Sequence, residues 1–273
     1  MSCQNVNSIS FHFYENELFI RKCCFTESIK IDFDEIEKIK TLDDLINKIT
    51  YKKTSRGLLS CKDQCISKNV NCIDLSGLIK CNLNCYHCWS EGHHFDDNGF
   101  EEKYFKFLKI LLNITHLENL SLDGAGEIFM YWPKLKYFLK DLTCDNVKYI
   151  IFITNATLIN KQIIDDLLKV QSETGIKFKF CVSIDGITKK TYEDIRIGGN
   201  FDKLVEDIKL LSQWFNISFN FTLKKENYKE AFRLEKFLKD NFSFPYGGKV
   251  NFLIDQYNLE LNKYFKYLQD FDL

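Results

Sequence analysis

The feature that most constrains this chain is an alternation beginning at about residue 73. Six short runs rich in Val, Ile, Phe and Tyr take turns with longer stretches of helical periodicity. The runs are Cys72–Leu78, Leu117–Leu122, Val147–Thr154, Lys177–Ile184, Ile217–Leu223 and Lys249–Ile254, each the length of a buried strand. Between and after them lie five apolar stripes: Tyr104-Phe107-Leu108-Leu111-Leu112, Leu135-Phe138-Leu139-Leu142, Ile163-Ile164-Leu167-Leu168, Phe201-Leu204-Val205-Ile208-Leu211 and Ala231-Leu234-Phe237-Leu238. Leu261, Phe265 and Leu268 form a sixth. Repeated βα units require a mainly parallel sheet covered by helices. Six units fall short of the eight that close a barrel. The expected fold is therefore α/β, a partial (βα)6 TIM-type barrel, with function at the C-terminal strand ends and the loops that follow them.

Residues 1–70 follow another pattern. Ile9–Tyr14 and Leu18–Cys23 read as two strands of a hairpin around Glu15-Asn16-Glu17. Thr41, followed by Asp43, Asp44, Leu45, Ile46 and Ile49, reads as a capped short helix. The expected division is a small cysteine-rich α+β module over 1–70 and a barrel domain over 71–273.

Eleven cysteines occur, and nine of them fall within the first 88 residues. The N-terminus shows no basic region followed by an apolar core, so no signal peptide is expected. A cytoplasmic chain keeps its thiols reduced, which turns attention from disulfides to metal ligands. Cys81-Asn82-Leu83-Asn84-Cys85-Tyr86-His87-Cys88 places three thiols at C-x3-C-x2-C directly after the first barrel strand. Three thiolates in one short loop can hold three irons of a cubane iron–sulfur cluster and leave the fourth iron open. The alternative is a structural zinc loop completed by His87, His93 or His94. Cys144 and Cys181 have apolar neighbours in sequence and are expected in the core.

The residues around this loop resemble those of the radical S-adenosylmethionine (radical SAM) enzymes over about residues 72–255. The cysteine loop matches the family's cluster loop, with His87 at the aromatic-type position before the last cysteine. Gly124-Ala125-Gly126-Glu127 resembles the GGEP motif, with Ile128 in place of Pro. Thr154-Asn155-Ala156-Thr157 resembles TNGT, with Ala156 for Gly. Ser183-Ile184-Asp185-Gly186 matches SIDG, and Thr191–Arg196 with Gly198-Gly199-Asn200-Phe201 resembles the helix region that follows.

The resemblance implies a 4Fe–4S cluster on Cys81, Cys85 and Cys88 whose open iron chelates S-adenosylmethionine (SAM). Reductive cleavage would then yield a 5′-deoxyadenosyl radical that takes a hydrogen atom from substrate. It also implies SAM contacts from His87, the backbone of Gly124, Ala125 and Gly126, Asn155, Ser183, Asp185 and Arg196, with Glu127 holding that loop or the SAM ammonium. Arg196 is suited to a bidentate pair with the SAM carboxylate. A one-electron donor such as flavodoxin or ferredoxin is implied as a partner. The N-terminal segment resembles the auxiliary-cluster modules called SPASM or twitch. That likeness implies a second iron–sulfur cluster on Cys3, Cys23, Cys61 and Cys65, with Cys24 or Cys72 as substitutes and zinc as the alternative. Relatives with such modules suggest a peptide or protein substrate; a carbohydrate, nucleotide or other small metabolite is the alternative.

Thirty-seven basic against 38 acidic residues give a net charge of −1, which argues against nucleic-acid binding. No apolar run approaches the length needed to span a bilayer. A non-catalytic zinc or iron–sulfur module is the rival from outside enzymology.

Overall fold

The computed structural model describes residues 8–14, 17–21, 29–41, 43–45, 70–88, 100–123, 126–254 and 271–272. In chain order the elements are β1 (Ser8–Tyr14), β2 (Glu17–Arg21), β3 (Ile29–Ile31), α1 (Phe33–Ile36), β4 (Cys72–Ser76), β5 (Asn84–Cys85) and α2 (Phe100–Ile114). Next come β6 (Leu117–Asp123), a 3-10 turn (Ile128–Tyr131), α3 (Trp132–Lys140), β7 (Val147–Thr154), α4 (Lys161–Thr174), β8 (Lys177–Ser183) and α5 (Lys189–Ile195). The chain continues through β9 (Arg196–Ile197), α6 (Phe201–Ser212), β10 (Asn216–Leu223), α7 (Tyr228–Ala231), α8 (Leu234–Asn241), β11 (Lys249–Ile254) and β12 (Phe271–Asp272). The six expected barrel strands β4, β6, β7, β8, β10 and β11 all form, within two residues of their expected limits. The sixth apolar stripe and residues 46–50 of the short helix lie outside the described residues. Thr41 and Asp44 do cap one another, each side chain accepting the other's backbone N–H at 3.1 and 3.0 Å.

Local chemistry accounts for the helices. In α4 the Asn160 side chain accepts from Ile163 N, and Gly175, at φ 76°, ends the helix in the left-handed region. Between those caps Ile163, Ile164, Leu167 and Val170 turn to the sheet and are buried. Asn200 caps α6 in the same way, and Leu204, Ile208 and Leu211 are its buried face.

The strands form one sheet in the order β12-β11-β10-β8-β7-β6-β4-β1-β2-β3. The pairings β1–β4, β4–β6, β6–β7, β7–β8, β8–β10 and β10–β11 are all parallel. Thus the expected hairpin is present, β1 against β2, but its first strand also joins the barrel as a seventh parallel strand. Alternation explains the fit. Ile9 and Phe11 stand opposite Ile73 and Leu75 and share their helix-covered face. Phe11, Leu75, Leu122, Phe152, Phe180 and Ile217 continue one fully buried row across six strands. Phe107 from α2 meets Phe11 at 5.0 Å between ring centroids, and Phe129 meets Phe152 at 5.3 Å.

The other face differs from a filled barrel. Its rows read Ser10-Asp74-Ser121-Ile151-Lys179-Asn216 and His12-Ser76-Asp123. A closed barrel packs such positions with branched apolar side chains. Here most are polar and half-buried, so the inner side of the partial barrel is a polar hollow. No helix among the described residues is long and apolar enough to cross a membrane.

Candidate functional site

The cysteine loop leaves the C-terminal end of β4, where parallel strands expose their chain ends. It is braced from two directions. On one side, Gly126 N donates to Leu78 O at 2.7 Å and Glu127 N to Lys80 O at 2.8 Å. A Cβ on Gly126 would lie 2.2 Å from Lys80 O, so only glycine allows this approach. On the other side, β5 pairs antiparallel with β9, setting Cys85 opposite Arg196. Tyr86 N also donates to Ile195 O at 2.9 Å. The β5–β9 pair was not legible in the sequence, because two residues carry no periodicity.

Glu127 is buried and holds the first brace. Its Oε1 accepts from Thr154 Oγ1 at 2.6 Å and Phe129 N at 3.2 Å, and its Oε2 accepts from Asn155 N at 2.7 Å. Asn155 in turn donates through Nδ2 to Asn82 Oδ1 at 3.0 Å and to Cys81 Sγ at 3.8 Å. Its Oδ1 accepts from Thr157 N and Oγ1 at 3.0 and 2.7 Å, and Asn82 Nδ2 reaches Thr157 Oγ1 at 2.8 Å. Asn82, Thr154 and Thr157 are site residues that sequence reasoning missed. Ala156 sits at φ 62°, the left-handed conformation that favours glycine, where the resembling motif has Gly. Thr154 Oγ1 accepts its N–H at 2.9 Å and helps hold that turn.

Asp185 organises the second brace. It is fully buried; Oδ1 accepts Thr222 N at 2.7 Å, and Oδ2 lies 2.6 Å from Arg196 Nη2 and 3.2 Å from His87 Nε2. Burial alone would raise its pKa. The Arg196 charge, the His87 contact and the Thr222 N–H outweigh burial and bring it down to about 2. Arg196 Nη1 donates to Cys85 Sγ at 3.8 Å. Asp185 and Arg196 therefore face each other as a buried pair, and Asn155 is committed to the cluster loop. Ser183 is half-buried at the end of β8. Gly124, Ala125, Cys3, Cys23, Cys24, Cys61, Cys65, His93 and His94 lie outside the described residues. Cys72 begins β4, at the opposite strand end from the loop, and its Sγ accepts from Asn119 Nδ2 at 3.5 Å.

The three loop thiols are half-buried. Burial raises the Cys81 thiol and pushes Cys85 up to about 11; Cys88 adds to both, and Arg196 opposes both. As free thiols Cys81 and Cys85 are therefore protonated at neutral pH, and metal binding would release their protons. Two buried side-chain nitrogens beside the loop, His87 Nδ1 and Arg196 Nε, have no hydrogen-bond partner. Unpaired buried polar groups are costly and mark a site built for a further group. Three thiols on one loop, flanked by such groups and by the Arg196 guanidinium, fit an iron–sulfur cluster with an anionic cosubstrate beside it. Among the described residues no three His, Cys, Asp or Glu side chains converge on a single-ion site. Thiolates that each bind a different iron have no need to converge.

Cys181 is buried as expected, with its thiol pushed up to about 12, mainly by burial. Cys144 corrects its expectation and is exposed. It lies in a turn closed by Asn146 Oδ1 accepting from Thr143 N at 3.1 Å, outside the core.

Below the loop, the polar hollow carries Asp123, whose pKa is pushed up to about 6 by burial and then by Asp74. The folded state thus binds its proton more tightly than the unfolded chain, at about 3.8. The penalty for ionising it is absent below pH 4, grows as pH rises toward 6 and is complete above. Asp123→Asn should therefore stabilise the protein by about 3 kcal/mol at pH 8 and by nearly nothing at pH 4. Urea denaturation at the two pH values checks this; equal changes at both would reject the buried-carboxylate account.

The family model described as the Radical SAM superfamily matches residues 77–238. No curated protein matches the chain. Among solved structures, Streptococcus suis SuiB bound to S-adenosylmethionine is 19% identical with a TM-score of 0.49, covering 62% of this chain and 38% of that one. The same SuiB bound to precursor peptide SuiA is 14% identical with a TM-score of 0.49, covering 85% and 60%. A structure of TYW1 with a lysine-pyruvate adduct bound is 15% identical with a TM-score of 0.43, covering 67% and 64%. The chain spans less than two thirds of the length of each.

Proposed function

Because this chain belongs to the radical SAM superfamily, we propose that it cleaves SAM reductively and abstracts a hydrogen atom from a substrate held in the polar hollow of the barrel. The observation that carries the proposal is the Cys81-Cys85-Cys88 loop at the strand ends, braced on both sides and flanked by unpaired buried nitrogens. A 4Fe–4S cluster bound there supplies the electron and the open iron that this chemistry requires.

The chain's own residues then have distinct tasks. Cys81, Cys85 and Cys88 hold the cluster. The family resemblance gives the methionyl amino group to the backbone of Gly124, Ala125 and Gly126, and the ribose to Ser183. The unpaired Nε of Arg196 is the donor left for the anionic end of SAM, and His87 lies beside it. Glu127 holds the loop, one of the two roles expected for it, and Asn155 and Asp185 act by fixing the loop and Arg196. The apolar row behind the sheet keeps the scaffold rigid, as radical chemistry demands positioning and exclusion of water.

For the substrate we put a peptide or protein first. Ser10 and Ser121, with Asn220 and Asn251 paired side by side on β10 and β11, are half-buried polar groups that a peptide backbone can hydrogen-bond. The reductant is a one-electron protein such as flavodoxin or ferredoxin, and the compartment is the cytoplasm. The N-terminal module over 1–70 holds a second cluster on Cys3, Cys23, Cys61 and Cys65. Reconstituted protein should then carry about eight irons rather than about four, and Cys61→Ala with Cys65→Ala should remove only the second set.

Anaerobic protein given SAM and dithionite should form 5′-deoxyadenosine. A pool of synthetic peptides should raise that rate above the uncoupled level. Stimulation by sugars or nucleosides instead would overturn the substrate class; bound zinc without SAM cleavage would overturn the function.

A further inference from the structure

We propose that Asn155 and Arg196 set the reduction potential of the SAM-binding cluster, each by donating an N–H to one of its cysteine sulfurs. This deepens the reading above and rests on it. Asn155 Nδ2 lies 3.8 Å from Cys81 Sγ, and Arg196 Nη1 lies 3.8 Å from Cys85 Sγ. The two donors approach from opposite braces, so two of the three ligand sulfurs receive one side-chain hydrogen bond each. Cys81 Sγ also accepts Leu83 N at 3.4 Å.

Each donor is immobilised by a buried carboxylate. Glu127 Oε2 accepts Asn155 N, and Asp185 Oδ2 pairs with Arg196 Nη2 at 2.6 Å. Glu127 and Asp185 are 1% and 0% exposed, and Arg196 is 7% exposed. Such rigid, dry placement is more than loop bracing requires, because Gly126, Glu127 and the β5–β9 pair already pin the loop through backbone hydrogen bonds.

The physical effect has a definite sign. Reduction adds one electron to the cluster, and the extra negative charge spreads onto the ligand sulfurs. An N–H aimed at a sulfur stabilises that charge, and hydrogen bonds to the sulfurs are a principal control of cluster potential. Arg196 adds a full positive charge in a low-dielectric setting, where its field is weakly screened. Both residues therefore hold the midpoint higher than the bare loop would, easing electron transfer from a weak biological reductant.

The test is a reductive titration of the reconstituted full chain, followed by electron paramagnetic resonance without SAM, together with iron analysis. Arg196→Gln removes the charge and the N–H toward Cys85. Asn155→Asp keeps the Oδ1 that accepts from Thr157 and removes the N–H toward Cys81. Each should retain wild-type iron and show the reduction equilibrium shifted about tenfold toward the oxidised cluster, or 59 mV for a one-electron couple. If Arg196→Gln fails to fold because Asp185 is left unpaired, Arg196→Lys decides. It keeps a cation against Asp185 without the planar fork, and a lowered midpoint is again expected. Midpoints equal to wild type would overturn the assignment. Loss of iron from all the variants would also overturn it, making these residues assembly elements. Failure of the wild-type chain to take up iron would instead sink the proposed function.

Discussion

Cys85→Ala should remove the iron of the SAM-binding cluster and lower 5′-deoxyadenosine formation by at least about 10³-fold, because the cofactor carries the chemistry that the protein only positions. Cys85 is the most constrained of the three loop cysteines. Its backbone pairs with Arg196 across β5 and β9, its sulfur faces Arg196 Nη1, and its carbonyl accepts Cys88 N at 3.0 Å. The fold should survive, since Cys85 is only half-buried and the parallel sheet is built elsewhere. Cys144→Ala is the matched control. Cys144 is exposed in the turn before β7, at the other end of the strands, and its loss should leave iron and activity unchanged. Iron analysis with chromatography of the nucleoside product checks both. Full iron and full SAM cleavage in Cys85→Ala would remove this loop from the mechanism.

Gly126→Ala should be nearly as damaging through a different cause. The added methyl carbon would sit 2.2 Å from Lys80 O and 2.5 Å from Ile79 C, both backbone atoms of the segment running into Cys81. No side chain can swing away to make room. Either the Gly126 N–H to Leu78 O bond breaks or the cysteine loop shifts. Overpacking of this kind costs about 3 kcal/mol, and the melting temperature should fall by about 6–12 °C. Iron uptake should fall with it, because the displaced segment carries the first ligand. Wild-type melting and wild-type iron content in this variant would show that the close approach has no consequence.

What could be read from the sequence follows from the length of each signal. The barrel strands and most covering helices announce themselves because each spans several residues of a regular period, as in Val147–Thr154 or the Ile163–Leu167 face of α4. The cysteine spacing is equally plain. The seventh parallel strand was harder. Ile9–Tyr14 reads as a hairpin arm, and it is one, yet nothing local reveals that its Ile9 and Phe11 also match Ile73 and Leu75 across a parallel pairing.

The site shows the same limit. Asn155, Asp185 and Arg196 were identifiable as residues of interest. Their partners were not, because Asn155 to Cys81 spans 74 positions and Arg196 to Cys85 spans 111. Long-range pairing makes residues expected near the cosubstrate supports of the cysteine loop as well. The polar hollow did leave a trace. Cys72, Asp74 and Ser76, and likewise Asn119, Ser121 and Asp123, alternate with buried Ile and Leu at a period of two. Strand-length apolar content masked that alternation in a reading aimed at finding strands.

The central claim is a three-cysteine cluster with one iron left open to SAM. Its most direct measurement is Mössbauer and electron paramagnetic resonance spectroscopy of the reconstituted, reduced chain before and after SAM is added. A 4Fe–4S spectrum in which one iron site changes on SAM addition, and which disappears in Cys85→Ala, is the expected result. A spectrum indifferent to SAM, or protein that takes up zinc and no iron, would contradict it.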